Sequence, residues 1–197
     1  MIRGNKIVLR DWEPADVPVY RKHMQPGAPW QLLDGPDYPR PTGPAAEQHI
    51  EQITAKIAKA QWPTPRMVFA VADAERQRFL GKVSRYWQSE ETAWLSLGVV
   101  IYDNEQWGKG FGYEALGLWS EYIFTEMPQL VRLDLRTWSG NPGMMRLAEK
   151  LGYVQEARFR DARIVAGKHY DGLGYGILRS EWSTRYPDGF ASTLATD

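Results

Sequence analysis

Apolar and polar positions along this chain switch between a period of two and a period near 3.6, which predicts strands interleaved with helices. Residues 6–10 (Lys6-Ile7-Val8-Leu9-Arg10) read as a short strand; a turn at 11–14 follows, and Asp16 is placed to cap a helix reaching residue 24. Residues 25–44 hold six of the thirteen prolines, a density that excludes regular structure there. Ile50, Ile53, Ile57 and Ala60, at i, i+3, i+7 and i+10, make one apolar stripe and predict a helix over 44–61. Strands are predicted at 67–71 and 79–87 around a polar turn at 73–77. After Ser89-Glu90-Glu91, residues 94–101 form a mostly apolar strand, expected to be buried on both faces. Apolar spacing at Ala115, Leu116, Trp119, Tyr122 and Ile123 predicts a helix over 113–127. Residues 131–138 alternate Val131, Leu133 and Leu135 against Arg132, Asp134 and Arg136, the pattern of a strand whose charges pair along one face. A short helix over 144–151 is closed by Gly152, and two strands follow at 154–165 and 169–178. No repeat or linker divides the chain, so residues 1–182 read as one domain and residues 183–197 as a polar tail expected to fray.

Composition narrows the function. The 197 residues suit a single core burying roughly 70% of the unfolded chain's surface. With 24 Lys+Arg against 24 Asp+Glu, no global field attracts nucleic acid or an anionic membrane, and neither is expected as a partner. The absence of Cys removes disulfides, thiolate nucleophiles and Cys-based metal sites. His23, His49 and His169 have no metal-ligand spacing, so no metal is expected. The opening residues lack the apolar core of a signal peptide, and no run approaches the ~18 apolar residues of a membrane span, which makes a cytoplasmic location the expectation.

The most informative string is Gly108-Lys109-Gly110-Phe111-Gly112, lying between the apolar strand and the 113–127 helix. Alternate glycines let a backbone approach a ligand closely, and their amides join the positive end of the helix dipole in an anion site suited to a diphosphate. The plainer reading is a tight turn that requires Gly. A Walker loop is excluded, because no Gly-Lys-Ser/Thr string exists. A dinucleotide fingerprint is also excluded: Tyr113 stands at the third Gly position, and several strands precede the loop.

The segment from Trp107 to Leu116 (Trp-Gly-Lys-Gly-Phe-Gly-Tyr-Glu-Ala-Leu) resembles the acetyl-coenzyme A pyrophosphate loop of the GNAT acetyltransferases, most closely the Rim-type branch of ribosomal-protein N-acetyltransferases. A second block, Asn141 to Tyr153, is similar to the family's Asn-x-x-Ser-x-x-x-x-Glu-Lys-Leu-Gly-Phe segment. Ile7 through Asp16 look like the family's first strand and turn, and Asp171, Tyr175, Glu181 and Trp182 fit its last strand. Three positions depart from the pattern: Trp107 replaces Gln/Arg, with Gln106 one residue early; Met144 replaces Ser; and Ala148 stands where many relatives place a Tyr general acid.

The resemblance implies an α/β (mixed α+β) fold: a mostly antiparallel, twisted sheet of about seven strands, splayed at the cofactor strand and flanked by helices. It implies acetyl-CoA as cofactor and acetyl transfer to a primary amine by direct attack in a ternary complex. Val99, Val100, Ile101, Trp107, Gly108, Lys109, Gly110, Phe111, Gly112 and Asn141 become the candidate cofactor-binding residues. Asn141 is also a catalytic candidate beside Glu91, the candidate base, with a water-relayed base as the alternative. Trp30, Asp34, Tyr38 and Trp87 are the candidate acceptor-binding residues. The acceptor ranges from a protein N-terminal α-amine, the easier to deprotonate at pKa about 7.7–8.0 against about 10.4 for Lys, to a polyamine, an aminoglycoside or another small amine. Asp34, Asp37, Glu90 and Glu91 would suit a cationic acceptor. A homodimer is a further family expectation. The alternative function is a non-catalytic acyl-CoA-binding or sensor protein on the same fold.

Overall fold

A computed structural model describes residues 1–36 and 42–194. The elements in chain order are β1 (Ile2–Arg3), β2 (Ile7–Arg10), α1 (Asp16–His23), a 3-10 turn (Pro29–Leu32), α2 (Pro44–Lys59), β3 (Val68–Asp73), β4 (Phe79–Ser89) and β5 (Trp94–Ile101). A short 3-10 turn (Asn104–Gln106) leads into α3 (Phe111–Glu126), followed by β6 (Arg132–Trp138), α4 (Pro142–Leu151), β7 (Val154–Val165), β8 (Lys168–Leu178), α5 (Arg179–Arg185) and a last 3-10 segment (Phe190–Leu194). They form one eight-stranded sheet in the order β1-β2-β3-β4-β5-β6-β8-β7. Every pairing is antiparallel except β5 with β6. The eighth strand is β1, which pairs Ile2 with Leu9 and Arg3 with Val8.

Two cores sandwich the sheet. On one face α3 packs nearly all round, with Ala115, Leu116, Leu118, Trp119, Ile123 and Phe124 buried against Ile7, Leu80, Leu95, Leu97, Leu133 and Leu135. On the other face α1 and α2 cover only the β2–β4 side, through Trp12, Val17, Tyr20, Ile50 and Phe79. The β5–β8 half of that second face is therefore left without a helix from the α1–α2 layer. Both ends of α3 are tied down. Glu114, buried in its first turn, accepts the backbone N–H groups of Lys6 and Ile7. The Arg179 guanidinium donates to the carbonyls of Phe124, Met127 and Leu130 at its C-terminal end, at 2.8, 2.9 and 2.8 Å.

Four expectations need correction. Asp16 does not cap α1; it is buried inside the first turn and accepts two hydrogen bonds from Arg10 at 2.7 and 2.8 Å. The proline-rich stretch is not devoid of structure: Pro29 opens the 3-10 turn Pro29–Leu32 in its first turn, where a missing N–H leaves no intrahelical hydrogen bond unmade. β5 is buried on both faces only through Leu97; from Gly98 onward it is half-exposed, since β6 has left it. Residues 183–194 are docked rather than frayed: Tyr186 and Phe190, with Trp182 before them, are buried in the α3 core.

Candidate active site

β5 and β6 pair only from Leu95↔Leu133 to Leu97↔Leu135. Beyond that point β5 continues to Ile101 beside β4, and β6 continues to Trp138 beside β8, so the two parallel strands open into a V. The edge of β5 inside the V follows from its hydrogen bonds. Tyr102 N–H donates to Leu80 O at 3.0 Å, and a Cβ at Gly81 would overlap the Val100 carbonyl. Tyr102 and Val100 therefore face β4, and by strand alternation Val99 and Ile101 turn their N–H and C=O groups into the V. The indole N–H of Trp107 donates to Ile101 O at 2.8 Å.

The V leads to the glycine loop. Gly108 and Gly110 sit at φ 75° and 89°, a region that L side chains avoid, whereas Gly112 lies in the helix, where a Cβ would meet Leu147 and Ile101 only at ordinary van der Waals distances of 3.7 and 3.9 Å. Gly110 is the N-cap of α3, so the amides of the first turn have no carbonyl partners within the helix and face the groove. Across the V, α4 presents Arg146 and Lys150, one turn apart on the same face; Lys150 Nζ stands 4.3 Å from the centre of the Tyr113 ring. Burial, aided by Tyr186, pushes the Tyr113 phenol up to about 12, so no phenolate opposes an anion there at neutral pH. Helix amides and two cations suit a diphosphate, and the V leaves the backbone edge of Val99 and Ile101 without a strand partner, open to an amide-bearing arm, so the residues fit acetyl-CoA.

The same groove, about 1440 Å³, runs through the V to the uncovered half of the second face. There Lys82, Ser84, Tyr86 and Gln88 line it from alternate positions of β4, Arg136 and Trp138 from β6, and Trp30, Leu33, Asp34 and Gly35 from the loop after α1. Under Arg136 lies Asp134, buried and paired with Arg132 at 2.6 Å and Arg136 at 3.5 Å, the strand-face ion pair its alternation predicts.

Of the candidate residues, the groove brings together Trp30, Asp34, Val99, Val100, Ile101, Trp107, Gly108, Gly110, Phe111, Gly112 and Asn141. Val100 contributes its side chain only, because its backbone N–H and C=O groups face β4. The Lys109 side chain turns to Gln106 Oε1 at 3.4 Å and is not part of the lining. Trp87 is corrected: it lies on the opposite face of β4 from Tyr86 and Gln88 and packs against the α3 core. Glu91 is corrected too: it is exposed in the β4–β5 turn, outside the groove, where its carboxylate accepts the Ser89 hydroxyl at 3.0 Å. Its own backbone N–H and that hydroxyl hold its pKa below the ordinary carboxylate value, a poor setting for a base. Tyr38 and Asp37 lie outside the described residues.

Asn141 is committed in two directions. Its Oδ1 caps α4 by accepting Met144 N–H at 3.0 Å, and its Nδ2 donates to Leu33 O at 3.2 Å. Ala148 is fully buried, so no general acid reaches the groove from that position. Sequence reasoning missed Arg146, Lys150, Trp138 and the polar face of β4. The first two carried a signal, cations at i and i+4 on a helix that follows an anion loop.

A family model described as an acetyltransferase (GNAT) domain matches residues 6–154. The chain is 30% identical over 183 residues to an SPbeta prophage-derived uncharacterized N-acetyltransferase, YokL, of Bacillus subtilis, covering 93% of this chain and 96% of that protein. Over 75 residues, 38% of this chain and 40% of the other, it is 32% identical to a putative ribosomal N-acetyltransferase, YdaF, of the same organism. Among solved structures, a GNAT-family acetyltransferase from Bacillus anthracis aligns at TM-score 0.70 and 18% identity, covering 91% of this chain and 99% of that one. A spermidine N-acetyltransferase from Vibrio cholerae, crystallised with CoA and spermine, aligns at TM-score 0.70 and 21% identity, covering 90% and 98%. The splayed β5–β6 pair, the glycine-lined helix terminus and the match across most of the chain define an acetyltransferase. The chain belongs to the GNAT family, and its activity is acetyl-CoA-dependent N-acetylation.

Proposed function

We propose that the enzyme acetylates a primary amine, foremost the α-amine of a peptide or protein, by direct attack in a ternary complex within the V between β5 and β6. The observation that carries this reading is the backbone edge of Val99 and Ile101, which opens toward the amides at the start of α3. The first-turn amides from Gly110 to Gly112, with Arg146 and Lys150, hold the diphosphate of the acyl donor. Val99 and Ile101 align its pantetheine arm as an added strand, and the Val99 N–H donates to the oxygen on which charge develops. Bound acetyl-CoA supplies an activated thioester. Trp30, Leu33 and Asp34 form the wall against which the amine enters, opposite Ser84, Tyr86 and Gln88. With Glu91 turned away, Asp34 accepts the proton of the incoming ammonium through water; it is the acid lining the groove among the described residues. A Rim-type assignment, with a protein N-terminus as acceptor, is supported by the partial similarity to the putative ribosomal enzyme. The test is a thiol-release assay at saturating acetyl-CoA over a panel of peptides with free N-termini, their N-blocked lysine-containing counterparts and spermidine. Turnover confined to free N-termini is expected; preference for spermidine would overturn the acceptor assignment.

A further inference from the structure

Trp30 anchors the first half of the loop after α1. Its ring is buried edge-on to Tyr102 at 5.1 Å, and its indole N–H donates to His23 O at 2.8 Å. The second half, which carries Asp34, is held from far along the chain. Leu33 O accepts two hydrogen bonds, from Trp138 Nε1 at 2.9 Å and from Asn141 Nδ2 at 3.2 Å, using both of its lone pairs. Neither donor is adventitious. The Trp138 ring is buried at the end of β6, perpendicular to Tyr170 at 4.8 Å, and sits where a Cβ on Gly140 would overlap it. The amide orientation of Asn141 is set by its cap on α4, which needs Oδ1 toward Met144 N–H and so leaves Nδ2 for Leu33.

We infer that Trp138 is a positioning residue for the acceptor wall: with Asn141 it clamps Leu33 O and sets the loop bearing Asp34 relative to α4. The inference rests on the proposed reaction for its kinetic consequence, whereas the clamp is a property of the folded chain alone. Because Asn141 also caps α4, the clamp ties the loop bearing Asp34 to the start of the helix that borders the acyl donor.

The test is Trp138→Phe, which keeps a ring between Tyr170 and Gly140 and deletes the indole N–H. Two readouts separate this inference from the reaction itself. In the protein without ligands, Leu33 and Asp34 amides both donate to Trp30 O at 3.1 Å, so their hydrogen exchange reports the loop. Exchange at these two amides should accelerate about three- to tenfold while the amides of α3 are unchanged, the scale of one lost hydrogen bond. At saturating acetyl-CoA, the acceptor KM should rise by a similar factor, with kcat within about twofold and acetyl-CoA affinity by calorimetry unaltered. Unchanged exchange at Leu33 and Asp34 would overturn the clamp. Faster exchange with no change in acceptor KM would overturn the positioning role. Failure of the wild-type protein to turn over any amine would instead refute the proposed reaction and leave the exchange result standing on its own.

Discussion

Phe190 offers the sharpest stability test, because composition gives no hint that a residue so near the end of the chain is structural. Its ring is fully buried, ringed by Tyr186, Tyr113 and Trp182 at 5.2, 5.4 and 6.0 Å, and lies where Gly117 of α3 has no side chain. Phe190→Ala removes the ring from a site walled by large aromatics that cannot collapse into the void. The cost should fall at about 3–5 kcal/mol, lowering the melting temperature by roughly 6–20 °C at ~2–4 °C per kcal/mol. Gly117→Ala would drive a methyl into the same ring and cost about 1–3 kcal/mol. The two changes are complementary, since the methyl occupies part of the space the ring vacates. The double variant should therefore be more stable than the sum of the singles predicts, by about 1 kcal/mol or more. Urea unfolding monitored by near-ultraviolet circular dichroism measures all four proteins. A Phe190→Ala cost below about 1 kcal/mol, or strict additivity with Gly117→Ala, would show that the segment does not dock on α3.

Three further outcomes are expected. Arg146→Ala with Lys150→Ala should weaken acetyl-CoA binding about five- to thirtyfold, from roughly 0.5–1 kcal/mol for each exposed cation, and the loss should shrink in high salt; calorimetry at two ionic strengths checks it. Glu91→Gln should leave kcat/KM within about twofold, while Asp34→Asn lowers it about tenfold or more; the reverse order would restore the turn glutamate as base. Burial lowers the pKa of His23, despite Asp103 nearby, and that of His49, where Lys82 and Lys56 add to the effect. Their neutral forms are thus favoured by folding: the associated stability is complete above about pH 6.5 and is lost as the pH falls through the lowered native values. The urea midpoint should drop between pH 7.5 and 5.5, and His23→Gln with His49→Gln should flatten that drop.

The legible parts of the fold were those set by local period and by glycine. β5 matches its predicted limits because its apolar run is bounded by turns on both sides, and the loop before α3 was legible because Gly108 and Gly110 are needed at positive φ. Which face of β4 meets the groove was not legible. A register shift opposite Val71 and Ala72 resets the strand's parity, so Phe79 and Val83 lie on different faces, and Trp87 turns to the core while Tyr86 and Gln88 turn to the groove. Glu91 lies beyond the strand, where alternation no longer constrains direction. The docked end did carry a signal: Trp182, Tyr186 and Phe190 recur every four residues, hidden by the polar residues between them. The clamp on Leu33 joins residues 105 and 108 positions apart, a distance over which no local pattern informs.

Calorimetric titration with acetyl-CoA tests the central claim most directly, with Gly110→Arg as the companion. That variant places a side chain at φ 89°, at the mouth of the amide cradle, and its melting curve shows whether it remains folded. Saturable binding of acetyl-CoA to the wild-type protein, lost in a folded Gly110→Arg variant, is the predicted result. Absence of binding to the wild type, or undiminished binding to the folded variant, would contradict the assignment of the acyl donor to the V between β5 and β6.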